Sequence, residues 1–332
     1  MKLLKITTIA ATLFAMVVIM LGSFTRLADA GLGCPDWPGC YGHILWPNET
    51  HEIEKADQAY PDMPVDQAKT WPEMVHRYLA SSLGLMMIIM VALAYRVKES
   101  VVPKGHIWGL LGLVILQGLF GMWTVTLKLW PQVVTTHLLG GFLTFNLLFL
   151  LSLRLTNWRL PVTHDTSRIV SLKKLALLSL VVVIIQIVLG GWTTSNYAAV
   201  ACPDFPLCQG QWIPPTDFAQ GFNITQHIGP NYLGGTMDND ARVAIHLSHR
   251  IGAIVVMLVL IAFCLQLFKA GMAKAAGLVA TVLTIQVLLG VSNIIFHFPI
   301  SVAVAHNLVG ALLAAAVVFV LYSLHSAEHA HG

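Results

Sequence analysis

Charged side chains are scarce in this chain: they supply 11% of its 332 residues, whereas a soluble domain carries about 25%. That shortage excludes an ordinary water-soluble fold. Acidic residues number 16, and too few stand near the chain's histidines to complete the four-ligand shell of a structural zinc ion. Segments that alternate polar with apolar residues are missing, which excludes a membrane β-barrel. The net charge of +3 calls for no nucleic-acid partner.

Long apolar runs are what the chain has instead. Hydrophobic residues make up 56% of it, and eight stretches stand out: 6–26, 74–95, 105–126, 132–153, 172–194, 243–267, 273–295 and 300–323. Each is near the ~20 residues a helix needs to cross the hydrocarbon layer, so the fold class is an all-α membrane protein with eight transmembrane helices. The first run lies between "MKLLK" and "ADA" at 28–30, the outline of a signal peptide. It exceeds the roughly 7–15 apolar residues of a signal core and reads as a retained helix. With the N-terminus inside, twelve Lys and Arg, Lys98 among them, fall in inner segments and four in outer loops. The positive-inside rule then puts both termini in the cytoplasm and the long loops on the periplasmic side of a bacterial-type inner membrane. The basic segments suit an anionic inner leaflet.

The sequence also repeats. "CPDWPGC" at 34–40 returns as "CPDFPLC" at 202–208, an offset of 168. "QGLFG" (117–121) answers "QVLLG" (286–290) and His137 answers His306, both at 169, while "VHRYLASSLG" (75–84) answers "SHRIGAIVVM" (248–257) at 173. The expectation is two halves, 1–160 and 161–332, forming pseudo-symmetric parallel four-helix bundles.

Four of the fourteen histidines share one depth. His76, His137, His249 and His306 open the even-numbered spans, two from each half. A lone histidine at a helix end is an ordinary interfacial residue; four at matched repeat positions point to one bis-histidine site per half, with haem the strongest candidate. Gly140, Gly141 and Gly310 follow their histidines by three or four residues, on the same helix face, where a flat ring needs small neighbours. Arg77 and Arg250 directly follow His76 and His249. Two readings stand for them, and for Arg26 at the end of the first span: guanidinium groups that snorkel to the interface, or forks that meet haem propionates.

The halves differ at one telling position. Glu73 lies one turn before His76 on the same face, and the matching residue before His249 is His246. An acid suits a helix start, yet beside a bound macrocycle a carboxylate in one half alone reads as catalytic, moving protons or stabilising developing positive charge.

These residues resemble the Cox15/CtaA family of haem A synthases over essentially the whole chain. The resemblance rests on "TRLADAGLGCPDWPGCYG", "EMVHRYLASSLG", "TTHLLGG", "GGWTTSN…ACPDFPLC", "IHLSHRIGA" and "AHNLVGA". It implies oxidation of the C8 methyl of haem O to the formyl of haem A. His76 and His137 would then hold the substrate or product haem with Glu73 essential beside it, and His249 and His306 would bind a haem b cofactor. It further implies a haem O donor, a haem O synthase. Small-residue helix faces would permit a homo-oligomer. Competing readings are a two-haem b-type cytochrome that relays electrons, for example from quinol, and a haem carrier without chemistry.

Both cysteine pairs fall in outer loops, in an oxidising compartment, so Cys34–Cys40 and Cys202–Cys208 are expected as disulfides. A small ring removes little chain entropy, so each pair is expected to fasten a lid over a haem site. The first pair has a second reading as a redox-active dithiol.

Overall fold

The computed structural model describes residues 1–97 and 102–331, so Lys98 lies outside the described residues. The chain is a multi-pass α-helical membrane protein. Among the described residues, eight helices are long and apolar enough to span a bilayer: α1 (Lys2–Leu27), α3 (Gln67–Arg96), α4 (Lys104–Thr126), α5 (Pro131–Thr156), α6 (Thr166–Ser195), α8 (Asn239–Lys269), α9 (Ala273–Ile295) and α10 (Ile300–His331). Short helices α2 (Thr50–Ala59) and α7 (Phe218–Gly221) lie in the two long loops.

Several helices begin well before their apolar runs. α3 starts seven residues ahead of the expected 74, because the Asp66 carboxylate accepts from the Ala68 amide at 3.0 Å and caps the first turn. α6 begins at Thr166 because Asp165 accepts from the amides of Ser167 (3.0 Å) and Arg168 (3.2 Å). Apolar length counts only the part matched to hydrocarbon; capped polar turns carry the helix beyond it.

Helix α1 packs on α3 and α5, and α4 on α3 and α5, closing one group of four. Helices α6, α8, α9 and α10 close a second group in the same order of contacts, and the groups meet where α1 touches α10 and α5 touches α6 and α10. Leu4, Met87, Met90, Leu148 and Leu151 fill the first group; Ile169, Leu260, Phe263, Val279 and Val317 fill the second. In lipid, close packing and interhelical hydrogen bonds must hold such helices together. Two such bonds are Thr12–Ser152 between α1 and α5 (3.0 Å) and Thr135–Ser195 between α5 and α6 (2.9 Å).

At the cysteine-loop end, the second long loop reaches across to the turn between α4 and α5. The Tyr232 amide donates to the Lys128 carbonyl (3.0 Å), and Trp130 Nε1 donates to the Gln226 carbonyl (3.0 Å). The first long loop is ordered by α2, where Glu52 accepts from the amides of Asn48 (3.1 Å) and Glu49 (3.3 Å). It is also ordered by Tyr41, whose hydroxyl donates to the Met63 carbonyl at 3.0 Å. Burial, and then the negative charge of Asp57, push the Tyr41 phenol up to about 12. Its contribution to loop stability is therefore whole below pH 10 and is lost as pH climbs towards 12. An alkaline titration followed by limited proteolysis of residues 41–65 should show the loop opening in that window, and Tyr41→Phe should lack the step.

Candidate functional site

The two cysteine loops are built alike. Disulfides join Cys34 to Cys40 (Cα–Cα 4.9 Å) and Cys202 to Cys208 (Cα–Cα 4.6 Å). In the first loop Asp36 accepts from the amides of Tyr41 (2.6 Å) and Gly42 (2.8 Å); in the second Asp204 accepts from Gln209 (2.6 Å) and Gly210 (2.8 Å). Those amides converge because both turns enter left-handed backbone, φ 53° then 76° in one and 53° then 73° in the other, with glycine at the second place. The two bonds hold the Asp204 carboxyl below the usual carboxylate range.

Each loop is fastened from below by the arginine that follows a histidine. Arg77 Nη1 donates to the carbonyls of Gly39 (2.6 Å), Asp36 (3.1 Å) and Pro38 (3.3 Å). Arg250 donates to those of Leu207 (2.7 Å), Cys202 (2.9 Å) and Asp204 (2.9 Å). Sequence spacing gave no sign of this work, since the acceptors are backbone atoms about 40 residues away. A buried carbonyl stripped of its donor costs about 1–3 kcal/mol, so Arg250→Leu should speed amide exchange across residues 202–211 by about tenfold or more. Unchanged exchange would show that the clamp is not what orders the loop.

The next contact of each arginine separates the halves. Arg77 Nη2 pairs with the Glu73 carboxylate one turn back, whereas Arg250 Nε meets His246 Nε2 at 3.3 Å. Glu73 is 5% exposed, and its other oxygen accepts from the Cys34 amide at 3.0 Å. The carboxylate therefore links the disulfide loop to helix α3, one turn from His76.

His76 and His137 face each other across the first helix group, ring centroids 6.5 Å apart and planes nearly perpendicular at 86°. That spacing is at the long end of an edge-to-face contact, and it also leaves room for a single iron between two ring nitrogens, each about 2 Å from the metal. The Nδ1 atoms of His76, His137 and His306 are buried without a hydrogen-bond partner among the described residues. Each ring also rests on a glycine of a neighbouring helix. A Cβ on Gly22 would stand 2.7 Å from His76 Cε1, on Gly190 3.1 Å from His249 Cε1, on Gly290 3.2 Å from His306 Cε1, and on Gly121 3.5 Å from His137 Cε1. These four glycines seat the imidazole rings. Gly140 and Gly310 instead face the amides of Gln117 and Gln286, while Gly141 lines open space.

Glutamines complete the second pair. Gln186 Nε2 lies 3.0 Å from His249 Nδ1, and Gln286 Nε2 lies 3.4 Å from His306 Nε2. Sequence reasoning passed over both, although the recurrence of Gln117 as Gln286 at the repeat offset was available.

A cavity of about 1020 Å³ occupies the first helix group and contains Glu73, His76, His137, Gly22 and Gly121. Arg26 lines it, donating through Nη2 to the Thr194 carbonyl (2.5 Å) and lying 4.1 Å from the Tyr197 ring centroid, with Nε buried and unpartnered among the described residues. Thr194 is the residue that answers Arg26 in the repeat, so the arginine ties the two helix groups at matching positions. Asn307, beside His306, also reaches this cavity.

Fold and site together define a polytopic membrane protein with paired, half-buried histidines near one end of its helices. The chain belongs to the COX15-CtaA family, described as cytochrome oxidase assembly protein, whose family model matches residues 5–318. It is 45% identical to a protein named heme A synthase from Shewanella oneidensis, over 97% of this chain and 96% of that one. Proteins of the same name from Caulobacter vibrioides and Rhizorhabdus wittichii are 30% and 26% identical, covering 92% and 95% of this chain and 91% and 92% of theirs.

Proposed function

We propose that the chain acts in haem A biosynthesis as a haem A synthase, oxidising the C8 methyl of haem O to a formyl group. Residues 1–160 form the substrate half and residues 161–332 the cofactor half. The observation that carries this reading is the asymmetry of one cavity: Glu73 stands beside the His76–His137 pair, and His246 takes its place in the other half. A relay of electrons between two equivalent haems needs no such difference. The family membership and the names of the relatives support the same reading.

His76 and His137 would hold the iron of haem O. The glycine floor at Gly22 and Gly121 leaves the rings free to meet the iron. Arg26, which lines the cavity, is the guanidinium best placed to receive a propionate, because Arg77 and Arg250 are engaged by the cysteine loops.

Water supplies the oxygen. In the first hydroxylation the methyl group loses two electrons and one C–H proton, and a water adds its oxygen as hydroxyl while giving up a proton of its own. A second round gives the geminal diol, and loss of one water leaves the formyl. Glu73 takes the protons: its carboxylate is held in position by the Cys34 amide and Arg77, at the face of the cavity nearest the loops. His249 and His306, cradled by Gly190 and Gly290, fit a haem b, which when bound supplies a one-electron acceptor. The electrons pass finally to an oxidant outside the chain.

The cysteine loops lie on the outer side and both termini in the cytoplasm. Purified protein should yield haem O or haem A together with haem b on pigment extraction. Two equivalents of haem b, and neither of the others, would support the relay instead.

A further inference from the structure

We propose that the first-half cavity continues along the seam between α3 and α4 as a lipid-facing slot. It holds the long isoprenoid chain of haem O, and substrate and product pass through it sideways. This inference rests on haem O being the substrate.

Three large apolar side chains line the cavity and are nevertheless open to the outside: Leu85 (58% exposed), Ile88 (55%) and Ile115 (60%). Accessible area of that size on three neighbouring lining residues fits a cavity that breaks through the surface between these helices. Ser81, Leu85 and Ile88 recur at four and three residues, on one face of α3, with Ile115 and Gly118 on α4 as the other lining. The twelve residues from His76 to Ile88 span ~18 Å at about 1.5 Å each, so the slot runs from the histidines towards mid-membrane. Its lining is mostly apolar: Ser81 donates its hydroxyl to its own helix at the Arg77 carbonyl, 2.8 Å away, and Gln117 is the polar side chain of α4 that also reaches the cavity. An apolar chain is the ligand such a surface accepts without leaving polar groups unpaired.

The aqueous end offers less. Trp37, Pro38 and Gly39 roof the cavity there, held by the disulfide and by Arg77.

The seam of the other half differs at the two positions that matter. A Cβ on Gly118 would meet nothing within 4 Å, and one on Gly84 only Val114 Cγ1 at 3.5 Å. Side chains there would grow into the slot rather than into helix packing. At the repeat offsets Gly84 becomes Met257 and Gly118 becomes Val287, and Val287 packs on the core around Val279 and Leu283. Leu111 and Ile115 are answered by the smaller Ala280 and Thr284, so the second seam is not bulkier throughout. One to two turns below the histidines it carries side chains, Met257 and Val287, where the first carries glycine. That suits a ligand that exchanges in one half and a resident group in the other.

The test copies the second half into the first. The Gly84→Met, Gly118→Val double variant, in lipid nanodiscs, is titrated with haem O and with protohaem, which lacks the isoprenoid chain. Haem O should bind the His76–His137 site about tenfold more weakly, the loss expected from turning two methylene groups out of an apolar groove, while protohaem binds as before. Unchanged haem O affinity, or an equal loss for both pigments, would overturn the slot. Conversion of haem O by the unaltered chain in the same nanodiscs reports separately on the activity.

Discussion

Glu73→Gln should lower conversion of haem O to haem A by about 10²–10⁴-fold, the range for loss of a positioned proton acceptor, without emptying the haem site. Glutamine keeps the volume and can still accept from the Cys34 amide, now 3.0 Å from Glu73 Oε2, so the disulfide loop keeps its anchor. What it cannot do is take a proton or balance the Arg77 charge. Glu73→Asp retains the proton acceptor but shortens its reach, and should recover part of the rate. A purely structural role predicts a different pattern: haem O content falls with activity, and glutamine serves nearly as well as glutamate. Pigment content and turnover measured on the same preparations separate the two. Full conversion by Glu73→Gln would remove the carboxylate from the chemistry.

Gly22→Val and Gly190→Val should each cost the haem of one half and spare the other. A Cβ on Gly22 falls 2.7 Å from His76 Cε1, and one on Gly190 falls 3.1 Å from His249 Cε1. At the first distance the imidazole must move, since its rigid ring offers no flexible tail to swing aside; at the second valine's extra methyl groups press harder on the same ring. A displacement near 1 Å costs on the order of 10²-fold in function. Gly22→Val should therefore lose substrate haem and activity while haem b remains, and Gly190→Val should lose haem b. Haem content per chain, resolved by pigment type, reads both results. Equal loss of both pigments in either variant would mean that the glycines serve the general packing of the bundle.

These effects were only partly legible in the sequence. Eight apolar runs announce eight spans because hydrocarbon thickness fixes their length, and the same arithmetic hides the capped turns that extend α3 to Gln67. The four histidines could be picked out by depth and offset, since a repeat aligns residues without any structure. Their glycine cradles could not, because Gly22 meets His76 across 54 positions of chain and only helix packing joins them. The arginines show the limit most clearly. Next to a histidine they read as propionate or interface residues, and the structure sets Arg77 and Arg250 under loop carbonyls that carry no side-chain signature. Glu73 was visible as a difference between halves, but its bond to the Cys34 amide joins two motifs that seemed separate.

The central claim is that the first-half pair oxidises a methyl group with oxygen taken from water. The direct measurement is an anaerobic incubation of the purified protein with haem O and a chemical one-electron oxidant, followed by pigment extraction. The account predicts haem A without dioxygen, with four electrons taken up by the oxidant for each formyl made. Unchanged haem O until dioxygen is admitted would contradict it.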